Sequence, residues 1–285
     1  MTSSIPASVG DSEIFEKVLG SGADKGMIDG LTLCYRATFA AGQIALNWSD
    51  WGGTSGHEGQ YVGDVAADNA ALEVLHQAGV SIYSEESGSS YIEGDFLAVI
   101  DPVDGSTNAS RGIPLWCSSV ALVDKKGTMC SVVYAPAIGE LFWAARGLGS
   151  YRWTTRLRVF PRPLAKSVIF LNGHVKKYLG WAQYRALGSA ALELALVASG
   201  AGDGFLDASW SGLAPWDYMG SELILKEAGG VVFYFVPKEE SGTSESFGDT
   251  LLSRRRVLAA NSAELAGELI TKLEGMDDTL RRITP

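Results

Sequence analysis

Phe96-Leu97-Ala98-Val99-Ile100-Asp101-Pro102-Val103-Asp104-Gly105-Ser106-Thr107-Asn108 runs from an apolar stretch into two carboxylates and a turn. The apolar part has the length and residue types of a buried strand, so Asp101 is expected at that strand's C-terminal end. Pro102 and Gly105 predict a tight change of direction that aims Asp101 and Asp104 at one point. Ser106, Thr107 and Asn108 then offer hydroxyl and amide groups plus free backbone N–H donors, which favour an anion where a helix begins. In isolation the string also reads as an ordinary turn with an Asp or Ser N-cap.

Two other segments shift the balance toward chemistry. Ser84-Glu85-Glu86-Ser87 follows the β-like run Val80-Ser81-Ile82-Tyr83, and adjacent acids at a strand end repel each other unless a cation or donor lies between them. Pro215-Trp216-Asp217 opens a pattern that continues through Leu223, Ile224 and Glu227 to Ala228-Gly229-Gly230. It reads as a helix with Pro near its first turn and Gly at its end, which puts Asp217 in the first turn.

Composition sets bounds around these motifs. With 285 residues, 46% of them hydrophobic, the chain can bury a full core as one large domain or two closely packed ones. The formal net charge of −10 argues against a protein that coats nucleic acid. An acidic chain that binds an anion at that helix start needs a cation between them. Cys34, Cys117 and Cys130 are widely spaced, with no C-x-x-C, so neither a disulfide framework nor a zinc site is expected and a reducing cytoplasm fits. Met1 to Gly10 lacks a basic segment followed by an apolar core, and no apolar run approaches the roughly 20 residues that span a bilayer. A protein that stays in the cytoplasm and off the membrane is the expectation.

Ile28, Leu31, Tyr35, Thr38, Phe39, Gly42 and Leu46 fall near helical spacing and predict a long first helix ending around Trp48. The glycine-dense segment Trp51 to Gly59, with His57, reads as a mobile loop that could act as a lid. A second helix is expected from about Val65 to Gln77, preceded by Gly63-Asp64. There Asp64 is either a cap or an accessory metal residue, and Asp68 either a solvated acid or the same. Trp116 to Asp124 and Met129 to Tyr134 predict a hairpin, and Leu141 to Ala145 with Tyr151 to Trp153 another. Gly147 and Gly149 lie inside the second hairpin with no helix after them, so they read as a turn and not as a nucleotide loop. Beyond Ala165, strands at 168–171, 204–207, 231–236 and 256–260 alternate with helices at 189–198, from Pro215 and from Ser262. The polar stretch Lys238 to Thr250 is expected to be a surface loop. H-E-x-x-H, G-x-S-x-G and P-loop signatures are absent, and His76 and His174 read as structural or solvated.

Taken in order, Ser84-Glu85-Glu86-Ser87, Asp101 to Asn108, Trp216-Asp217 and Glu227-Ala228-Gly229-Gly230 resemble the signature of the inositol monophosphatase family of magnesium-dependent, lithium-sensitive phosphatases. Gly188-Ser189-Ala190-Ala191-Leu192, Val197-Ala198-Ser199-Gly200 and Ser253 to Asn261 resemble its C-terminal half, and the likeness can be followed from about Leu31 to Leu269. No single motif is specific; the ordered set is.

The resemblance implies an α+β fold, a layered α-β-α-β-α sandwich with mixed sheets. It divides into an N-terminal half at 1–164, which carries the metal motifs, and a C-terminal half at 165–285, which completes the site. It also implies two or three Mg²⁺ ions, with Mn²⁺ able to substitute, a homodimer, and a small phosphorylated metabolite as substrate, with no nucleic-acid or membrane partner. By match of position, Glu85, Asp101 and the Val103 carbonyl correspond to the first metal site, and Asp101, Asp104 and Asp217 to the second. Asp64, Glu86 and Ser106 correspond to positions for a further metal or for polarising the attacking water. Gly105, Ser106 and Thr107 correspond to the phosphate turn, with Ser106 standing where the family commonly has Thr. Ser189 and Asp207 fall at substrate positions. Asp207 replaces a Glu that hydrogen-bonds the inositol ring in animal members, and the segment from Ala208 to Ala214 looks longer than theirs. Hard oxygen ligands suit Mg²⁺, and paired ions about 3.5–4 Å apart can clamp a phosphate and activate water. The implied activity is phosphomonoester hydrolysis, with inositol monophosphate the first substrate. Fructose 1,6-bisphosphate, histidinol phosphate, adenosine 3′,5′-bisphosphate and a catalytically silent binding homologue are the alternatives.

Overall fold

The apolar run before Asp101 forms a strand, but the strand does not stop at Asp101. β3 spans Leu97–Asp104 and is buried from Ala98 onward. Its ladder to β4 (Cys117–Asp124) shifts register between Asp101 and Asp104. The reversal expected at Pro102 is corrected accordingly. Proline has no N–H to give the ladder, and the irregular register accommodates it inside the strand, while Ser118 Oγ donates to the Pro102 carbonyl at 2.6 Å. The turn comes at Gly105, whose φ of 98° lies in the left-handed region.

The computed structural model describes residues 12–20, 23–52, 60–237, 253–274 and 280–283. The readings made for Met1 to Gly10, for His57 with most of its glycine-rich loop, and for Lys238 to Thr250 fall outside these residues. Among the described residues, one sheet has eight strands in the order β2-β1-β3-β4-β5-β6-β7-β8. Besides β3 and β4 these are β1 (Ser81–Ser84), β2 (Gly88–Ser90), β5 (Gly127–Ala135), β6 (Glu140–Ala145), β7 (Gly149–Arg152) and β8 (Thr155–Arg156). The second sheet has the order β10-β9-β11-β13-β12-β14. Its strands are β9 (Val168–Gly173), β10 (Gln183–Arg185), β11 (Gly204–Ala208), β12 (Val231–Pro237), β13 (Arg256–Ala260) and β14 (Leu280–Ile283). Both sheets mix parallel and antiparallel pairs.

Period-2 alternation sorts the strand residues into layers. Ile100, Val120 and Val132 face a core with α2 (Lys25–Asn47) and α3 (Val62–Ala78). Their neighbours Val99, Ala121 and Val133 face a second core with α5 (Ala190–Ala198) and α6 (Pro215–Glu227), closed from the other side by Phe205 and Val257. Leu206 and Leu258 turn outward onto α7 (Ala263–Glu274). The result is the expected α-β-α-β-α sandwich. In α2, Ile28, Leu31, Cys34, Thr38, Ala41 and Ala45 make the buried stripe, and Asp24 caps the helix through the Met27 N–H at 3.0 Å. No helix among the described residues is long and apolar enough to cross a membrane.

Two contacts fix α6 against the first sheet. Gly220 lies so close to β4 that a Cβ there would sit 2.4 Å from Ser119 Oγ, and Ser131 Oγ donates to the Gly220 carbonyl at 2.7 Å. At the helix end, the Glu227 carboxylate receives the backbone N–H groups of Gly147 and Gly149 at 2.7 and 2.9 Å. The glycine pair is thus the hairpin turn that was expected, and its amides hold α6. Short α1 (Glu13–Leu19) and the edge strands β2, β8 and β10 lack a long apolar pattern and are not foreseen in the sequence.

Candidate active site

Three elements deliver the acids to one place. Glu85 follows β1, and its backbone N–H donates to the Ile100 carbonyl at 3.2 Å, which seats it beside Asp101. Asp101 is 1% exposed, and its Oδ1 accepts from the Val103 N–H at 3.0 Å. Asp217 sits in the first turn of α6, where its Oδ2 accepts from the Ala214 N–H at 2.7 Å and caps the helix. One carboxylate oxygen from each of Glu85, Asp101 and Asp217 lies within 4.8 Å of the other two.

Burial and mutual repulsion make this cluster costly as bare anions. Burial foremost, then the charges of Asp217 and Glu86, push Glu85 up to about 8. Asp101 is pushed well above the usual carboxylate range, by burial first and then by Glu85 and Asp104. Asp217 rises to about 7, chiefly through burial and then the Asp104 charge, with Arg254 acting in the opposite direction. A cation among the three would reverse each of these effects. The donor set is all oxygen, which suits a hard divalent ion such as Mg²⁺ better than a metal that prefers sulfur or imidazole. The residues therefore fit the metal group expected from the sequence.

Asp104 stands beside the three without joining them. Ser189 Oγ donates to its Oδ2 at 2.6 Å, the Ala191 N–H to Oδ2 at 2.7 Å and the Ala190 N–H to Oδ1 at 3.2 Å. Burial raises its pKa to about 6 despite these bonds. Ser189, expected at the substrate, thus has its hydroxyl on Asp104. Cys117 Sγ also lies near, 3.8 Å from Asp104 Oδ2 and 3.7 Å from Ser189 Oγ.

The turn expected to bind phosphate follows directly. Gly105 is in the left-handed region, α4 (Ser106–Ser110) begins after it, and Thr107 is exposed. Ser106 Oγ donates to the Val103 carbonyl at 3.0 Å, leaving that oxygen one lone pair for another partner. The remaining expected residues are each tied to neighbours by hydrogen bonds. Asp64 is buried in the first turn of α3 and accepts from the Tyr61 N–H at 3.1 Å, so it does act as a cap. Glu86 Oε2 accepts from Gln60 at 2.6 Å. Asp68 Oδ1 accepts from Ser84 Oγ at 2.6 Å and ties α3 to β1, which makes it a buried structural acid and not a solvated one. Asp207 is 2% exposed, with Oδ1 bonded to Asn172 and the Ser209 N–H and with Oδ2 buried and without a hydrogen-bond partner.

One buried acid near the site escaped the sequence reading. Glu193, 1% exposed, points its Oε1 at the Leu187 N–H, 2.6 Å away, just ahead of Ser189. Its signal was available as the single charge in Ala190-Ala191-Leu192-Glu193-Leu194-Ala195-Leu196-Val197-Ala198.

Comparison with known proteins bears on the family and the fold. Residues 58–277 match the family model described as the inositol monophosphatase family. A relative from Escherichia coli K12 called Nus factor SuhB is 32% identical over 239 residues, covering 77% of this chain and 84% of its own. A fructose-1,6-bisphosphatase from Pyrococcus furiosus is 32% identical over 225 residues, covering 77% and 85%. Among solved structures, the inositol monophosphatase from Anabaena superposes with a TM-score of 0.67 at 28% identity, covering 84% of this chain and 94% of that one. The fold is that of the inositol monophosphatase and fructose-1,6-bisphosphatase structures. The chain belongs to the inositol monophosphatase family.

Proposed function

We propose that this protein is a Mg²⁺-dependent phosphomonoesterase acting on a small polyol or sugar phosphate, with inositol monophosphate the first candidate. The observation that carries the reading is the approach of Glu85, Asp101 and Asp217 carboxylate oxygens to within 4.8 Å of one another in a largely buried setting. Acids from a strand end, a bulged strand and a helix start are brought together there at an electrostatic cost that a pure scaffold has no need to bear.

In this reading Glu85, Asp101 and Asp217 hold the divalent ion, with Mn²⁺ able to replace Mg²⁺, and Asp104 and the Val103 carbonyl complete its surroundings. When bound, such ions neutralise the phosphate, acidify an attacking water and stabilise the departing alkoxide. Backbone N–H groups of the turn at Gly105, Ser106 and Thr107 orient the phosphate oxygens. Asp64, Glu86 and the Ser106 hydroxyl orient the water, and the Glu86 carboxylate takes its proton. Asp207 Oδ2, which lacks a protein donor, accepts from a substrate hydroxyl. We further propose that residues 1–164 and 165–285 supply the two walls of the site, and that the protein works in the cytoplasm as a homodimer.

The relationship to a fructose-1,6-bisphosphatase favours a second reading in which a sugar bisphosphate is the better substrate. Phosphate release from inositol 1-phosphate, fructose 1,6-bisphosphate, histidinol phosphate and adenosine 3′,5′-bisphosphate, with Mg²⁺ and with chelator, ranks the substrates. The proposal expects turnover to vanish on chelation and in Asp101→Asn. Hydrolysis that persists without divalent ions overturns it.

A further inference from the structure

The Leu187 peptide is held at both ends. Its N–H donates to Glu193 Oε1 at 2.6 Å, and its carbonyl accepts from Asn108 Nδ2, also at 2.6 Å. Asn108 Nδ2 reaches the Leu115 carbonyl at 2.6 Å as well, so one side-chain amide joins α4, the loop before β4 and the entry to α5. The next residue, Gly188, adopts φ +82°, and Ser189, Ala190 and Ala191 then deliver the three donors to Asp104.

Glu193 is an unusual residue to find there. It lies 1% exposed in an otherwise apolar helix, with burial and the nearby Asp104 charge both acting against its anionic form. For packing alone, a leucine at this position would avoid that cost. What an apolar residue cannot supply is an acceptor for the half-buried Leu187 N–H, whose bond to Glu193 ties the entry of the helix to its first turn.

We infer that Glu193 is a positioning residue for the cation site: it fixes the Leu187 turn, and through that turn the Ser189 hydroxyl and the α5 amides that orient Asp104. The function is one of reach. The acceptor oxygen has to lie at the end of a side chain as long as glutamate, and its charge is dispensable. This inference rests on reading the acid cluster as a divalent-ion site.

The test is Mn²⁺ binding by calorimetry and by electron paramagnetic resonance, in the absence of substrate, on the full-length protein and three variants. Glu193→Gln keeps the acceptor oxygen and the length, and its affinity is expected to stay within about threefold of wild type. Glu193→Asp keeps the charge and falls one methylene short, and Glu193→Ala removes the acceptor. Both are expected to lose about 10–100-fold in affinity, the usual cost of disturbing groups that orient ligands. Thermal melts run alongside report stability separately, and the Gln and Asp variants decide the matter if the Ala variant does not fold. Equal affinity in all folded variants overturns the inference alone, as does an Asp variant that binds normally beside a Gln variant that does not. A wild-type protein that binds no Mn²⁺ overturns the cation reading and this inference with it.

Discussion

Ser189 Oγ lies 2.6 Å from Asp104 Oδ2, a hydrogen bond between the N-terminal end of α5 and the last residue of β3. Both groups are buried, so the bond is charge-assisted and poorly screened. Ser189→Ala takes the hydroxyl donor from Asp104 Oδ2 and leaves that oxygen the Ala191 N–H and the longer Cys117 Sγ contact. The expected loss is about 1.5–3 kcal/mol of stability in urea unfolding, together with weaker Mg²⁺ activation of phosphate release. Asp104→Asn is expected to cost more activity, because it removes the charge itself.

Asp101→Asn is expected to separate stability from activity. It removes an acid whose ionisation the buried cluster opposes while keeping the acceptor for the Val103 N–H, so the chelator-treated protein at pH 8 should melt at a higher temperature than wild type. Phosphate release with Mg²⁺ should fall by about 10²-fold or more. Differential scanning calorimetry and a phosphate assay on the same samples check both halves of this statement.

Stability should depend on pH in a direction set by the same acids. Glu85 and Asp217 titrate near 8 and near 7 in the fold, above their ordinary values of 4.5 and 3.8. Below those ordinary values both states hold the protons and no penalty arises. As pH rises toward 8, the unfolded chain sheds protons that the fold retains, and the chelated protein loses stability. Added Mg²⁺ should therefore raise the melting temperature least at pH 5 and most at pH 8, and a uniform rise across that range would contradict the expectation.

The Glu227 clamp predicts a purely structural defect. Glu227→Ala leaves the Gly147 and Gly149 amides without their carboxylate and loosens the C-terminal end of α6. A loss of about 1–3 kcal/mol in urea unfolding is expected, with Mn²⁺ affinity at low temperature close to that of wild type.

Gly105→Ala should be more damaging than its size suggests. The residue sits at φ +98°, and an added Cβ would approach the Gly188 carbonyl and Trp116 Cβ at 3.1 Å each. Backbone strain of about 1–3 kcal/mol adds to a displacement of the phosphate turn, so both the melting temperature and the KM for a phosphomonoester should worsen.

Much of this was legible in the sequence because the signals were local. The run before Asp101, the two acids at 85 and 86, and the Pro-Trp-Asp helix start each announce an element end carrying a carboxylate. The alternation of Val99 with Ile100 likewise announces a strand buried on both faces. What stayed hidden was nonlocal. Pro102 looks like a strand terminator until its partner strand is known to shift register. Asp68 looks like a surface acid until Ser84 is brought to it. Nothing near Ser189 in the chain indicates that its hydroxyl is directed at Asp104, and nothing near Gly147 that its amide holds Glu227. Edge strands such as β10 exist only because a neighbour offers a free ladder, which no periodicity within Gln183–Arg185 records.

The close seat of Gly220 on Ser119 has a consequence for how the acid cluster can drift. Asp217 lies one helical turn away on the same rod, so the separation between Asp217 and the acids of the first sheet is calibrated by the lack of a side chain at 220. A methyl added there has to turn the Ser119 hydroxyl aside or shift the rod, and a shifted rod widens the gap that an ion would bridge.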